Sequence, residues 1–197
     1  MARTPDLERR QELLDRIVDY LAEHGVAQAT LRPMAAALDV SINRLVHHFG
    51  TKEELLTTAL QRASDQQILL QEEWVRRQPK ITMVEIYRKW WRWINESDSN
   101  MARIRLNYEA AALDTKVTGL AGNVRADQIG VWRHDVERHL VADGMSSEDA
   151  FREASLAKAT FTGLVIDLMA TGDRRRLNRA FEEFLTRLDD ARRKSSR

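Results

Sequence analysis

Ser41, Asn43, Arg44 and His47 lie within seven consecutive residues, and each carries a group that can hydrogen-bond to a nucleic acid. An arginine can donate two bonds to the major-groove edge of guanine, and an asparagine can pair with the corresponding edge of adenine. Serine, histidine and the first amides of a helix suit phosphate oxygens. Interleaved with these are Ile42, Leu45, Val46 and Phe49, at the i, i+3, i+4 and i+7 spacing of a helix with an apolar stripe. The polar residues then share the opposite side, with His48 at its border. A short helix of this kind is suited to lying in the major groove of DNA. Thr30 and Arg32 open the element before it and Lys52 opens the one after, placing them as phosphate clamps. The candidate DNA-contact set is therefore Thr30, Arg32, Ser41, Ile42, Asn43, Arg44, Val46, His47, His48 and Lys52.

The surrounding elements must hold that helix outward. Leu7, Leu13, Leu14, Ile17, Val18 and Leu21 recur at helical spacing, and Gly25 is a natural stop. Thr30 is placed to cap a short helix with Pro33 in its first turn, where a missing N–H costs nothing. Asp39-Val40 is the turn, Ser41 caps the next helix, and Gly50 ends it. Thr51 then caps a long helix whose first turn carries Glu53 and Glu54, complementing the helix dipole. Leu45 and Phe49 are expected to pack on Met34, Leu38, Val40 and the first helix. Residues 1–52 thus read as a three-helix helix-turn-helix domain, with the motif itself over 30–49.

The remainder, 53–197, reads as a second helical region. Helices are expected over 51–78, 81–96, 100–113, 117–143, 147–171 and 174–194, giving an all-α chain of about nine helices. The first of these would be roughly 40 Å long at 1.5 Å per residue. Nothing resembles a β-hairpin, a phosphate loop or an internal repeat. Of 197 residues, 43 % are hydrophobic and only eight are Gly and three Pro, so a sizeable helical core is expected and global disorder is not.

Several function classes fall away on composition. There is no cysteine, which removes disulfides, thiol nucleophiles and zinc–thiolate sites. No E-x-x-H pair supports a metal-binding bundle, and His134 and His139 do not share a helical face well. No catalytic residues, metal or cofactor are expected. The polar, charged start of the chain argues against a signal peptide, and the most apolar stretch, around Leu164–Met169, is far too short to span a bilayer. The expectation is a cytoplasmic protein. Bulk charge says little, because the formal net charge is only +1. Local placement says more: Arg32, Arg44 and Lys52 face a single acid, Asp39, between Thr30 and Lys52.

Two features of the second region bear on its role. The helix at 81–96 carries neighbouring apolar stripes, Met83/Ile86/Trp90/Trp93 and Val84/Tyr87/Trp91/Ile94, an arc wide enough to be buried against several helices. These aromatics are either core or the wall of an apolar effector pocket. On the second reading Trp90, Trp91, Trp132 and Phe161 line it, and Tyr108, Gln128 and Asn107 supply orienting polar groups. The last two helices carry the stripes Phe151, Ala154, Ala157, Phe161, Leu164, Leu168 and Leu177, Phe181, Phe184, Leu188.

Thr30, Ala35, Val40, Ser41, Leu45, His48, Phe49, Lys52 and Leu55, with Met34 in place of isoleucine, match the pattern T-x-x-x-I-A-x-x-x-G-V-S-x-x-x-L-Y-x-H-F-x-x-K-x-x-L. In these residues the chain resembles the tetracycline-repressor (TetR) family. Three departures stand out: Asp39 at the turn glycine, Ile42-Asn43-Arg44 for a common Pro-Gly-Thr, and Val46-His47 for a common Tyr-Tyr. They imply an idiosyncratic operator. The resemblance implies a homodimer whose last two helices form a four-helix interface through Phe161, Leu164, Leu168, Phe181, Phe184 and Leu188. It further implies a transcriptional repressor on double-stranded palindromic DNA, released by a small-molecule effector, which the wall chemistry of the second region suggests is apolar or aromatic. The alternative is a DNA-binding factor of the same fold with no effector.

Overall fold

The structure is a computed structural model describing residues 4–112 and 122–195, with side chains over 6–109 and 132–194. Among the described residues there are nine helices and no strand: α1 (Thr4–His24), α2 (Leu31–Ala37), α3 (Ile42–Phe49), α4 (Lys52–Arg77), α5 (Met83–Glu96), α6 (Asp98–Ala112), α7 (Gly122–Ala142), α8 (Ser147–Thr171) and α9 (Arg174–Ser195). The expected all-α architecture is therefore observed. The start expected for α7 at Val117 lies outside the described residues. None of the described helices is long and apolar enough to cross a membrane.

The chain forms two compact units, Met1–Glu72 with Ile94–Asp127, and Glu73–Trp93 with Gln128–Arg197. In the first, one core is built from Leu13, Leu14, Ile17, Val18 and Leu21 of α1, Met34 and Ala35 of α2, Leu45 and Phe49 of α3, and Leu55, Leu56, Ala59, Leu60 and Ala63 of α4. Leu38, just past α2, is buried with them and Val40 packs against them. Leu7 is not part of this core: it is largely exposed, so the buried stripe of α1 begins at Leu13.

Polar contacts fasten α6 and α4 to α1. Arg103 of α6 pairs with Asp19 at 2.6 Å, and Glu109 accepts a bond from the Val26 amide at 3.2 Å. From α4, Arg62 makes a two-pronged bond to Asp15, at 2.7 and 3.1 Å, and Gln66 donates to the same carboxylate at 2.8 Å. Fork-on-carboxylate geometry restricts rotation as well as distance, so α1 is held by more than apolar contact.

The second unit is organised around aromatic rings. Tyr87 and Trp90 of α5 are fully buried, and Trp91 nearly so. Trp90 meets Trp74, Trp93 and Trp132 at centroid distances of 5.0, 5.5 and 5.3 Å. Trp91 stacks on Phe181 at 4.6 Å, and its indole N–H donates to Asn178 Oδ1 at 2.8 Å. Phe161 of α8 stacks with Trp132 of α7 at 6.0 Å. The α5 start is fixed by Thr82 and Glu85. Glu85 accepts from the Thr82 amide and hydroxyl at 2.8 and 2.9 Å, and the Glu85 amide reaches the Thr82 hydroxyl at 3.3 Å. This is a reciprocal capping box. The bonds from Thr82, backbone first, hold the Glu85 carboxyl below the usual carboxylate range.

Candidate nucleic-acid interface

α3 is short, and its ends are closed with care. Ser41 has extended backbone and its hydroxyl accepts from the Arg44 amide at 3.1 Å, as an N-cap should. At the other end Gly50 has φ +77, a left-handed backbone conformation that favours glycine. Thr51 and Glu54 form a second capping box: the Thr51 amide donates to Glu54 at 2.7 Å and the Glu54 amide to the Thr51 hydroxyl at 3.2 Å.

The link between α2 and α3 is tight. Asp39 has φ +53, a left-handed conformation that side chains with a Cβ adopt at a cost. The Val40 amide returns to the Ala35 carbonyl at 3.0 Å. Thr30 corrects one expectation. It occupies the N-cap position of α2 with extended backbone, yet its side chain makes no capping bond. Its hydroxyl is exposed and uncommitted to the helix, which leaves it for an external oxygen.

The apolar stripe of α3 is narrower than its spacing suggests. Leu45 and Phe49 are buried, but Ile42 and Val46 remain substantially exposed. Two buried side chains suffice to seat so short a helix on α1 and α2. Thr30, Arg32, Ser41, Ile42, Asn43, Arg44, Val46 and His47 are all exposed, whereas His48 and Lys52 are half-buried. His48 leans on its ring neighbours, with centroids 5.3 Å from His47 and 6.0 Å from Phe49. No acidic residue occurs in α3, so its outward face is neutral to cationic.

Two residues important to this geometry carry no local signal in the sequence. Arg10 of α1 donates through Nε to the His48 carbonyl at 3.2 Å and lies 4.8 Å from the Phe49 ring centroid. Arg16 donates to the Leu38 carbonyl. Each arginine satisfies a carbonyl at the end of a helix, where the dipole is negative. Their partners are 38 and 22 residues away, too far for any spacing rule to reveal.

Other candidates distribute as follows. Trp90, Trp91 and Phe161 are buried in the aromatic cluster, Trp132 is half-buried beside them, and Tyr108 lies half-buried in the first unit. The side chain of Gln128 lies outside the described residues. Asn107 donates to Gln67 at 2.8 Å within the first unit. Phe161, Leu168, Phe181, Phe184 and Leu188 are buried inside the single chain, and Leu164 is half-buried. α8 packs on α9 through much of that stripe, while Leu164, Phe184 and Leu188 also line an open cleft between the two helices. Of the basic residues near the ends of α9, Arg176 is bonded to Asp167 at 2.7 and 2.9 Å, and Arg192 to Asp189 at 2.9 and 3.1 Å. No cluster of three potential metal-ligating acids or histidines occurs among the described residues.

The sequence profile of the bacterial regulatory proteins of the tetR family matches residues 13–59, from the α1 core stripe to the first turns of α4. Over those residues the chain is similar to the regulatory proteins of the tetR family. The chain also shares its fold with solved structures along nearly its whole length. A transcriptional regulator from Rhodococcus sp. Rha1 is 20 % identical with a TM-score of 0.72, the match covering 91 % of this chain and 95 % of that one. A protein from Pseudomonas aeruginosa PAO1 is 18 % identical with a TM-score of 0.69, over 96 % and 94 %. The multidrug binding protein EbrR, solved with imidazole, is 22 % identical with a TM-score of 0.63, over 91 % and 94 %. No curated protein sequence matches the chain.

Proposed function

We propose that this protein is a DNA-binding regulator that represses transcription in the cytoplasm by binding a palindromic operator as a homodimer, and that a small apolar or aromatic molecule releases it. Residues 1–52 make the DNA contacts, and 53–197 serve effector binding and dimerisation. The observation that carries the reading is α3 itself: eight residues, doubly capped, seated by Leu45 and Phe49 and presenting Asn43, Arg44 and His47 outward. Arg44 and Asn43 read base edges; Thr30, Arg32, Ser41 and Lys52 hold phosphates.

Dimerisation is supported by a stripe on α8 distinct from the one the sequence singles out. Leu156, Ala159, Gly163, Ile166 and Ala170 are all exposed and alternate at intervals of three and four, the spacing of a helix–helix seam. A Cβ at Gly163 would meet nothing within 4 Å, so a second backbone has room to approach. Beside this seam lies a cleft of about 330 Å³, lined on α8 by Leu156, Thr160 and Leu164 and on α9 by Ala180, Glu183 and Arg187. Two-fold pairing there would let two copies of α3 read successive major grooves.

The effector is supported by the aromatic richness of the second unit and by the similarity to EbrR, a multidrug binding protein. Release requires the effector to bind one of two dimer geometries better than the other. α4 is the lever in this reading, since the chain passes from one unit to the other within it, at Glu72–Glu73. A second reading, DNA binding with no effector, is favoured by the ring-to-ring packing around Trp90.

Selection of duplexes from a randomised pool, with sedimentation of the protein alone and on the selected DNA, tests the proposal. An inverted repeat bound by two copies is expected. Recovery of no preferred duplex, or a strictly monomeric protein, would falsify it. Repeating the selection with a panel of aromatic compounds separates the two readings.

A further inference from the structure

α3 has an apolar margin that the protein's own fold leaves uncovered. Ile42 is 38 % exposed and Val46 44 %, against 0 % for Leu45 and 5 % for Phe49 on the same helix. A lone exposed aliphatic residue is unremarkable. These two are one helical turn apart, hence side by side, and they border Asn43 and His47 on the face argued above to enter DNA. Arg44 and His48 form the opposite border. The helix carries no acid, so nothing on it repels a polyanion.

The occupant follows from groove chemistry. Every base edge in the major groove is a hydrogen-bonding pattern except for one apolar group, the C5 methyl of thymine. 5-Methylcytosine places the same group at the same position on the pyrimidine ring. We propose that Ile42 and Val46 form an apolar spot that reads a pyrimidine 5-methyl group, making them specificity determinants alongside the polar contacts of Asn43 and Arg44. The inference rests on the operator reading and adds the class of base feature that α3 selects.

The test begins from a duplex chosen by the protein. Each thymine is replaced in turn by deoxyuridine, which removes the methyl and leaves every hydrogen-bonding group in place. One or two positions per half-site are expected to lose about 4- to 10-fold in affinity, the scale of one buried methyl-sized contact. The loss should vanish in Val46→Ala or in Ile42→Ala, whose affinity is already reduced and no longer depends on the methyl. Both residues are exposed, so folding is checked simply by circular dichroism. At a sensitive position, cytosine and 5-methylcytosine are then compared. A gain on methylation identifies the methyl as the ligand from either source, and no gain assigns the contact to thymine. A selected duplex indifferent to deoxyuridine at every position overturns the inference alone. So does sensitivity that persists undiminished in both variants. A protein that selects no duplex overturns the operator reading and this inference together.

Discussion

α3 and α5 put side chains to opposite use. α3 buries two of its eight residues, whereas α5 buries seven of fourteen, among them Tyr87, Trp90 and Trp91. The first is therefore a platform held by the minimum that will seat it, with most of its surface free for a partner. The second is a structural post whose aromatic rings meet one another and whose polar atoms are largely satisfied within the chain. The contrast shows that aromatic richness and functional exposure are separate properties in this protein. Substitutions on the outer face of α3 should change binding and leave folding alone; those inside α5 should do the reverse.

The sharpest break would come from Trp90→Ala. Removing a fully buried indole that meets three other tryptophans should cost about 3–5 kcal/mol. Denaturant unfolding would measure it; a near-wild-type midpoint would mean that the cluster encloses space and not packed rings. Next in size is Arg44→Ala, expected to cost about 1–3 kcal/mol at one base pair of the operator. Its unfolding midpoint should be unchanged, since the side chain is exposed. Uniform weakening across all duplexes would instead make Arg44 a phosphate contact.

Smaller effects probe the ends of helices. Glu85→Gln should destabilise by up to about 1 kcal/mol at pH 7, the worth of a carboxylate in the first turn of a helix. Because the Glu85 carboxyl titrates below its unfolded value, its contribution is complete above the ordinary carboxylate pKa of about 4.3 and is lost as pH falls through the folded value. Unfolding curves of the two proteins should converge on acidification; a constant gap would show that shape and not charge matters there. The smallest effect expected is a gain. Asp39→Gly relieves a left-handed residue and should stabilise by about 0.5 kcal/mol, once the greater freedom of glycine in the unfolded chain is discounted. A lower melting temperature would show that the Asp39 side chain contributes to the turn.

Much of this molecule could be read from residue spacing. The caps at Ser41 and Thr51, the stop at Gly50 and the bounds of α8 all follow from interactions within four residues, which leave a local trace. The outward residues of α3 were legible for the same reason. Thr30 shows the limit: its residue type suits a cap, and its backbone is placed for one, but the hydroxyl makes no such bond. Ile42 and Val46 show another, because periodicity names an apolar side without saying how much of it a neighbour will cover. The stripe of Phe161, Leu168, Phe181, Phe184 and Leu188 is legible as apolar, but its burial within the chain is not, and neither is the exposure of Leu156, Gly163 and Ile166.

The amino-acid sequence by itself determined the helical order, the turn between α2 and α3, and the chemistry available to α3. Those depend on i to i+4 periodicity, on capping hydroxyls and on glycine, all of which act between residues close along the chain. Only the tertiary structure decided that Arg10 and Arg16 close the ends of the motif, that the tryptophans of α5 meet other rings, and which stripe of α8 stays open. Each of those depends on a partner tens of residues distant, and contacts at that range are set by packing, which no local pattern records.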